Sequence, residues 1–367
     1  MTATEARGVV HVLEELRASG AEMLVLGEAR RLPHRPVRVI ATGATVGEAA
    51  STFVEQGIDV VHIPFAPNPR WLLAIRAAVP DGSVVHVHPE RASFWLGLAL
   101  RLGRLRVVRS IHSVFLFDGW LRIKRTVQRQ VLSGLGVSHV AVSDEVARNE
   151  RTRFGLRTTT LRNGPEERFI SAGATREQRP EVRCIATVGN CEHRKNHRAV
   201  IEALAELRQN GVELRYLHAG SARSDDDDEP ALAERLDVAD LVDRRGVTDP
   251  LAVLTEADVF VMPSLREGIP LATLEAIAAG VPTVVADVPG LRGLAGVPGL
   301  WWSCTDPPAV AGTLRDVFAT AASERYARAE AARQALVSSF SLEHRSDALE
   351  RLYSRGERTR SGDPSCT

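Results

Sequence analysis

The stretch Val261-Met-Pro-Ser-Leu-Arg-Glu-Gly-Ile-Pro-Leu-Ala-Thr-Leu-Glu-Ala-Ile-Ala-Ala-Gly-Val-Pro-Thr-Val-Val-Ala286 reads as strand, loop, helix and strand. An apolar run ends at Pro263, a loop carries Glu267 and Gly268, and Pro270 stands where proline is tolerated at the start of a helix. Backbone N–H groups between Gly268 and Leu271 then gather at the positive end of that helix, beyond the carboxyl end of a parallel strand. Phosphate is the natural guest there. Glu267 lies in the loop and Glu275 about a turn and a half into the helix, so the two carboxylates reach different parts of one elongated ligand.

Working outward, short runs rich in Val and Ile alternate with segments of helical period, the pattern of parallel sheets with crossover helices. Strands are expected at Met23–Leu26, Val37–Ala41, Val60–Ile63, Val84–Val87, Val107–Ile111, His139–Val142 and Thr158–Leu161. A second series follows at Cys184–Val188, Leu214–Ala219, Val259–Met262 and Thr283–Ala286. The expected fold class is α/β, with two Rossmann-like, doubly wound parallel-sheet domains facing each other across a cleft. The expected boundaries are 1–165 for the first domain, 166–182 for a polar linker, 183–338 for the second domain, 339–354 for a terminal helix and 355–367 for a disordered tail. Gly8-Val-Val-His-Val-Leu-Glu-Glu-Leu reads as helical in period, with a helix over Val9–Ala18. The first strand and glycine-rich turn of the first domain are therefore expected to be missing.

The 367 residues include 46 basic and 46 acidic side chains, so no general electrostatic footprint for nucleic acid exists. Only two of the basic residues are lysines, Lys124 and Lys195. The four cysteines show no paired metal-ligand spacing, and no run approaches the roughly 18 apolar residues of a membrane span. A cytoplasmic protein is the expectation. Residues 91–130 hold nine basic side chains against one acid, Asp118, interleaved with Phe115, Phe117, Trp120 and Leu121. That stretch suits a solvated face, or a peripheral contact with anionic lipid at the inner face of a membrane.

Two further segments carry candidate chemistry. Thr187-Val-Gly-Asn-Cys-Glu-His-Arg-Lys-Asn-His197 places Lys195 near a strand-to-helix turn, where a compact cation can meet a diphosphate with no metal required. Ser110-Ile-His-Ser113 and Val84-Val-His-Val-His88 each put a histidine at a strand end. By contrast, the acidic run Ser224-Asp-Asp-Asp-Asp-Glu-Pro230 contains Asp-x-Asp but reads as a solvated loop of like charge. There is no Gly-x-Gly-x-x-Gly turn or P-loop.

Glu267 through Ala276, with Pro263-Ser264 before it and Gly280-Val-Pro after it, resembles the Glu, seven residues, Glu signature of retaining glycosyltransferase family four, the group 1 glycosyl transferases of GT-B fold. The resemblance runs from about Gly8 to Tyr353. It implies that Glu275 binds ribose hydroxyls, that Glu267 faces the transferred sugar, and that Lys195 holds the donor diphosphate with Gly189, Arg194 and the Gly268, Ile269, Pro270, Leu271 segment. His112 matches a histidine facing the donor sugar. Gly220, in His218-Ala-Gly-Ser221, and Val247, after Arg245-Gly246, match positions near the nucleoside. Asn190 stands where the family has an arginine. Arg194 is the candidate to replace that charge.

The expected activity is transfer of a hexosyl or N-acetylhexosaminyl group from a nucleotide diphosphate sugar to a hydroxyl acceptor with retention, needing no cofactor and no metal. The acceptor would be a small molecule, a polysaccharide or a lipid-linked glycan. The rival reading is a catalytically weakened paralogue that binds a nucleotide sugar or a partner. It rests on the missing first strand and on Asn190.

Overall fold

The computed structural model describes residues 8–66, 68–222, 228–340 and 342–354. Residues 355–367, expected to be a disordered tail, and residues 224–227 of the acidic run lie outside the described residues. Two wholly parallel sheets organise the chain. The first contains β1 Val9–Leu13, β2 Val37–Ala41, β3 Asp59–His62, β4 Val84–Val87, β5 Arg106–Ile111, β6 Ser138–Ala141 and β7 Thr159–Thr160, in the order β3-β2-β1-β4-β5-β6-β7. The second contains β8 Cys184–Val188, β9 Arg215–Ala219, β10 Val242–Gly246, β11 Val259–Met262, β12 Thr283–Ala286 and β13 Trp301–Ser303, in the order β10-β9-β8-β11-β12-β13. Both orders reverse beside the first strand of the sheet, which is where doubly wound folds open a crevice.

The first strand is therefore present, which corrects the expectation that it is missing. β1 lies at the centre of its sheet, pairing with β2 in register Val9 to Val37 and with β4 in register Val9 to Val84. No residue of β1 is more than 3% exposed. A strand covered on both faces has no alternation to betray it, and Val9, Val12, Leu13 and Leu16 happen to fall at helical spacing. The error carries into the next element: Met23–Leu26, expected as a strand, lies inside the helix Gly20–Arg31. The glycine pair of the turn is absent. In its place Glu14 to Ser19 lead into Gly20.

The stretch expected as a linker holds the helix Glu167–Ala174, whose Phe169 is fully buried in the second domain's core. Gly173 there packs directly on the backbone, since a Cβ would stand 2.0 Å from the carbonyl oxygen of Ala278. After the long helix Ala322–Ser339, the helix Leu342–Ser354 returns to the first domain. Its Leu349, Leu352 and Tyr353 join Val9, Val84 and Val108 in one apolar cluster. Polar ties accompany that packing: Arg345 Nε donates to Glu28 Oε1 at 2.7 Å, and Arg106 donates to the carbonyls of Tyr353 and Leu352 at 2.6 and 2.8 Å.

Candidate active site

The turn after β8 and the loop after β11 are stitched together by backbone groups. Asn196 adopts a left-handed conformation, φ 57°, and its side-chain amide donates to the carbonyls of Pro263 at 3.0 Å and Thr305 at 2.9 Å. Leu265 N–H donates to the Arg194 carbonyl at 2.9 Å. Lys195, one residue before Asn196, is thereby aimed at the β11 loop. Its Nζ stands 2.7 Å from Glu267 Oε1, and Arg194 Nη1 stands 3.3 Å from Glu267 Oε2. Glu267 is only 5% exposed. Burial alone would raise its pKa, but Lys195 and Arg194 more than offset that and hold the carboxyl below its usual range.

Behind Glu267, the helix Leu271–Ala278 presents its head to the same space. Thr273 and Leu274 N–H groups bond back to the Pro270 carbonyl, while the amides before them have no acceptor within the helix. Gly268 is required by a close approach between the domains: a Cβ would lie 2.2 Å from the His112 carbonyl oxygen. Ser143 Oγ and Asn163 Nδ2 add contacts to the carbonyls of Gly268 and Ile269 at 3.5 and 3.4 Å. Glu275, further along the helix, is buried, and that burial, reinforced by the Glu166 and Asp249 carboxylates and only partly relieved by Arg168, pushes its pKa up to about 8. Two glutamates eight positions apart thus rest in opposite states near neutrality, Glu267 ionised and Glu275 protonated.

On the opposite wall, His112 Nε2 pairs with His88 Nδ1 at 2.9 Å, and His88 Nε2 with His11 Nδ1 at 3.0 Å. Burial first, and the charge of Arg345 second, push His112 down to about 3, so its ring is neutral at physiological pH. The turn after β1 contributes Glu14 and the residues from Ala18 to Met23. Burial pushes Glu22 up to about 7, against the lowering effect of its hydrogen bond from Ser19.

These groups line one cleft of about 520 Å³, a size suited to a ligand of nucleotide-sugar dimensions. Glu267, Lys195, His112, Glu275, Gly189, Asn190, Arg194 and Gly268 to Leu271 all face it. Gly220 and Val247 do not line it. Gly220 instead lets the β9 turn press on the β8 turn, because a Cβ there would sit 1.9 Å from the Gly189 carbonyl oxygen. Val247 is 51% exposed. Asn190 turns its amide oxygen to the Ser221 N–H at 3.0 Å, while Arg194 reaches Glu267. The cation absent at 190 is thus matched by one at 194.

Sequence reasoning missed Glu14, Glu22 and Glu90. It also counted Arg109 and Arg129 in a surface patch, whereas both are buried. Arg109 pairs with Glu90, and Arg129 Nε donates to Glu150 Oε2 at 2.6 Å and lies 3.1 Å from Glu90. Arg101 and Arg106 also spend their donors on backbone carbonyls. Glu229, assigned with the solvated acidic run, is buried instead.

Two facing parallel-sheet domains with a cleft at their strand ends form the GT-B architecture. Residues 182–320 match the family model described as glycosyl transferases group 1. The chain is 30% identical to the glycogen synthase of Mycobacterium tuberculosis over 312 residues, covering 82% of this chain and 70% of that one. It is 32% identical to the D-inositol 3-phosphate glycosyltransferase of Mycolicibacterium gilvum over 328 residues, 87% of this chain and 71% of that one. The solved structure of Anabaena Alr3699/HepE in complex with UDP-glucose superimposes with a TM-score of 0.76 at 16% identity, covering 95% of this chain and 99% of that one. The chain belongs to the group 1 glycosyltransferases. It is a glycosyltransferase of GT-B fold, and the reading as a weakened paralogue is not favoured. No helix among the described residues is long and apolar enough to cross a membrane.

Proposed function

We propose that the protein transfers a hexosyl or N-acetylhexosaminyl group from a nucleoside diphosphate sugar to a hydroxyl acceptor with retention of configuration, with no metal needed for the chemical step. The observation that carries this is the Lys195–Glu267 pair, 2.7 Å apart at the head of the helix Leu271–Ala278, with the buried Glu275 lining the same cleft. Lys195 and Arg194 turn from Glu267 to the incoming diphosphate, and the helix head adds oriented N–H groups. Glu275 gives its proton to solvent and accepts from ribose hydroxyls. Glu267, released from its cations, faces the anomeric carbon.

In the transfer step the bond from the anomeric carbon to the diphosphate breaks and its electron pair leaves with the phosphate. Lys195, Arg194 and the helix head stabilise that growing charge, which is worth most in the transition state. Glu267 stabilises the oxocarbenium-like carbon. The acceptor oxygen bonds to the face being vacated, and its proton passes to the departing phosphate oxygen. Glu14 and Glu22, on the far wall, suit an acceptor rich in hydroxyls. Support for a uridine donor comes from the UDP-glucose held by the structural neighbour.

The test is a screen of nucleotide sugars by thermal shift, followed by assays of donor hydrolysis and transfer. Stabilisation by one donor, with turnover lost in Lys195→Ala, is the expected result. A chain that no nucleotide sugar stabilises overturns the assignment. Contact with anionic lipid through the helix Gly119–Gly134, whose Trp120, Ile123 and Val127 are exposed beside Arg122 and Lys124, belongs to the same proposal. Flotation with anionic vesicles tests it, and retention of binding in Trp120→Ser/Ile123→Ser would sink it.

A further inference from the structure

Behind the turn after β8, four buried side chains converge from four segments: Cys191 from the turn itself, His197 at the start of the helix His197–Gln209, His218 from β9, and Glu229 at the start of the helix Glu229–Arg235. One donor atom of each lies within 4.8 Å of the other three. His197 Nδ1 stands 3.2 Å from Glu229 Oε1, and His218 Nδ1 stands 3.0 Å from Glu229 Oε2. The carboxylate thus lies between two imidazole nitrogens.

Proton accounting makes this arrangement informative. His218 Nε2 is 2.9 Å from the Gly189 carbonyl oxygen, which can only accept, so Nε2 carries the hydrogen. In the neutral ring Nδ1 is then bare, yet it faces a carboxylate oxygen that also offers only lone pairs. A proton or a metal ion must sit between them. The neighbouring His197 ring faces the other oxygen of the same carboxylate. The two rings are 4.2 Å apart, so charging both would set like charges in contact.

We propose that Cys191, His197, His218 and Glu229 bind one zinc ion as a closed structural site. A thiolate, two imidazoles and a carboxylate form a donor set suited to zinc. The bond from His218 Nε2–H to the Gly189 carbonyl is the outer contact that fixes a metal-binding tautomer. Arg244 Nη2 donates to Cys191 Sγ at 3.2 Å, a contact that favours the thiolate. On binding, Cys191 gives its thiol proton to solvent. Protein atoms fill all four positions, leaving none for water or substrate.

None of the four residues lines the cleft, whereas Gly189 and Asn190, immediately before Cys191, do. The ion therefore pins the donor turn from behind without entering the transfer chemistry. The Cys191 and Gly189 N–H groups, bonded to the Ser221 and Ala219 carbonyls at 3.0 and 2.8 Å, complete the clamp.

The test uses the full chain, loaded with zinc and desalted, with metal measured by mass spectrometry and the melting temperature read with zinc or with chelator. One ion per chain and a chelator-sensitive melting temperature are expected. Cobalt in place of zinc should give a thiolate-to-metal charge-transfer band that Cys191→Ser removes. His218→Gln should weaken zinc binding by more than about tenfold. If a variant fails to fold, the cobalt spectrum of the unmodified chain still decides. A chain that retains no zinc and melts identically with chelator overturns the proposal in favour of a plain His218–Glu229 ion pair. Metal retained in both variants overturns the placement.

Discussion

The turns that follow β1 and β8 occupy equivalent places in their sheets, yet their chemistry is opposite. After β8 the chain runs Gly189-Asn-Cys-Glu-His-Arg-Lys195 and presents two cations to the cleft. After β1 it runs Glu14-Glu-Leu-Arg-Ala-Ser-Gly-Ala-Glu22 and presents the carboxyls of Glu14 and Glu22, the second pushed up to about 7 by burial. One fold repeated twice thus sets Arg194 and Lys195 on one wall of the cleft and Glu14 and Glu22 on the other, which under the proposed function are a phosphate side and a hydroxyl side. The fold sets where the walls stand. The side chains after the first strand of each sheet decide what each wall recognises.

Four substitutions would break or sharpen this contrast. The largest effect is expected for Lys195→Ala, which should lower kcat roughly 10²–10³-fold if Lys195 acts as a preorganised charge donor. Unchanged turnover of the cognate donor would remove Lys195 from the chemistry. Glu275→Gln comes next. Loss of a charged acceptor for ribose hydroxyls should raise the donor KM roughly 10–100-fold. The same change should stabilise the free protein, by a pH-dependent amount. Because the folded pKa is raised to about 8, the native contribution of Glu275 is fully present below its unfolded pKa near 4.5 and is lost as pH rises toward 8. The melting temperature of Glu275→Gln relative to the unsubstituted chain should therefore climb across that window, and a flat difference would show that Glu275 is not buried as described.

A smaller loss is expected for Arg194→Ala, on the order of 1 kcal/mol or about fivefold in kcat/KM, since its side chain is 41% exposed and screened by solvent. A loss equal to that of Lys195→Ala would mean that Arg194 fully replaces the arginine absent at Asn190. The smallest effect belongs to Glu22→Gln on the acidic wall, about two- to tenfold in acceptor KM with the donor KM unchanged. Glu22 is a carboxylate only above about pH 7, so acceptor kcat/KM should rise through that pH in the unsubstituted enzyme and lose that limb in the variant. A shift in donor KM instead would erase the division between the walls.

The second domain was the more legible in sequence, because Val261 to Ala286 carries strand, loop, helix and strand in one contiguous stretch. The first domain misled where burial was greatest. β1 is covered on both faces, so it shows no strand alternation and its apolar residues imitate a helical period, and Met23–Leu26 is an apolar run that belongs to a helix. Arg109 and Arg129 looked like surface charge because their partners Glu90 and Glu150 are set apart from them in the chain. Cys191, His197, His218 and Glu229 carry no local spacing signal, since β9 and two helix starts bring them together only in the folded chain. Pairwise meetings of distant segments are what the linear pattern does not encode.

The helix Leu342–Ser354 has a consequence for the order in which the protein can mature. Its Arg345 meets Glu28 inside the first domain, where neither is more than 2% exposed, and its Tyr353 hydroxyl lies 2.6 Å from His86 Nδ1. A first domain emerging from the ribosome holds Glu28 without its partner and Val9, Val84 and Val108 without the apolar cover of that helix. The amino-terminal half therefore waits for a helix made after the whole second domain before its core is complete, and the second domain can fold ahead of it. Ribosome-bound chains stalled before Leu342 should have a protease-sensitive first sheet beside a resistant second one, and equal resistance of the two would refute that order.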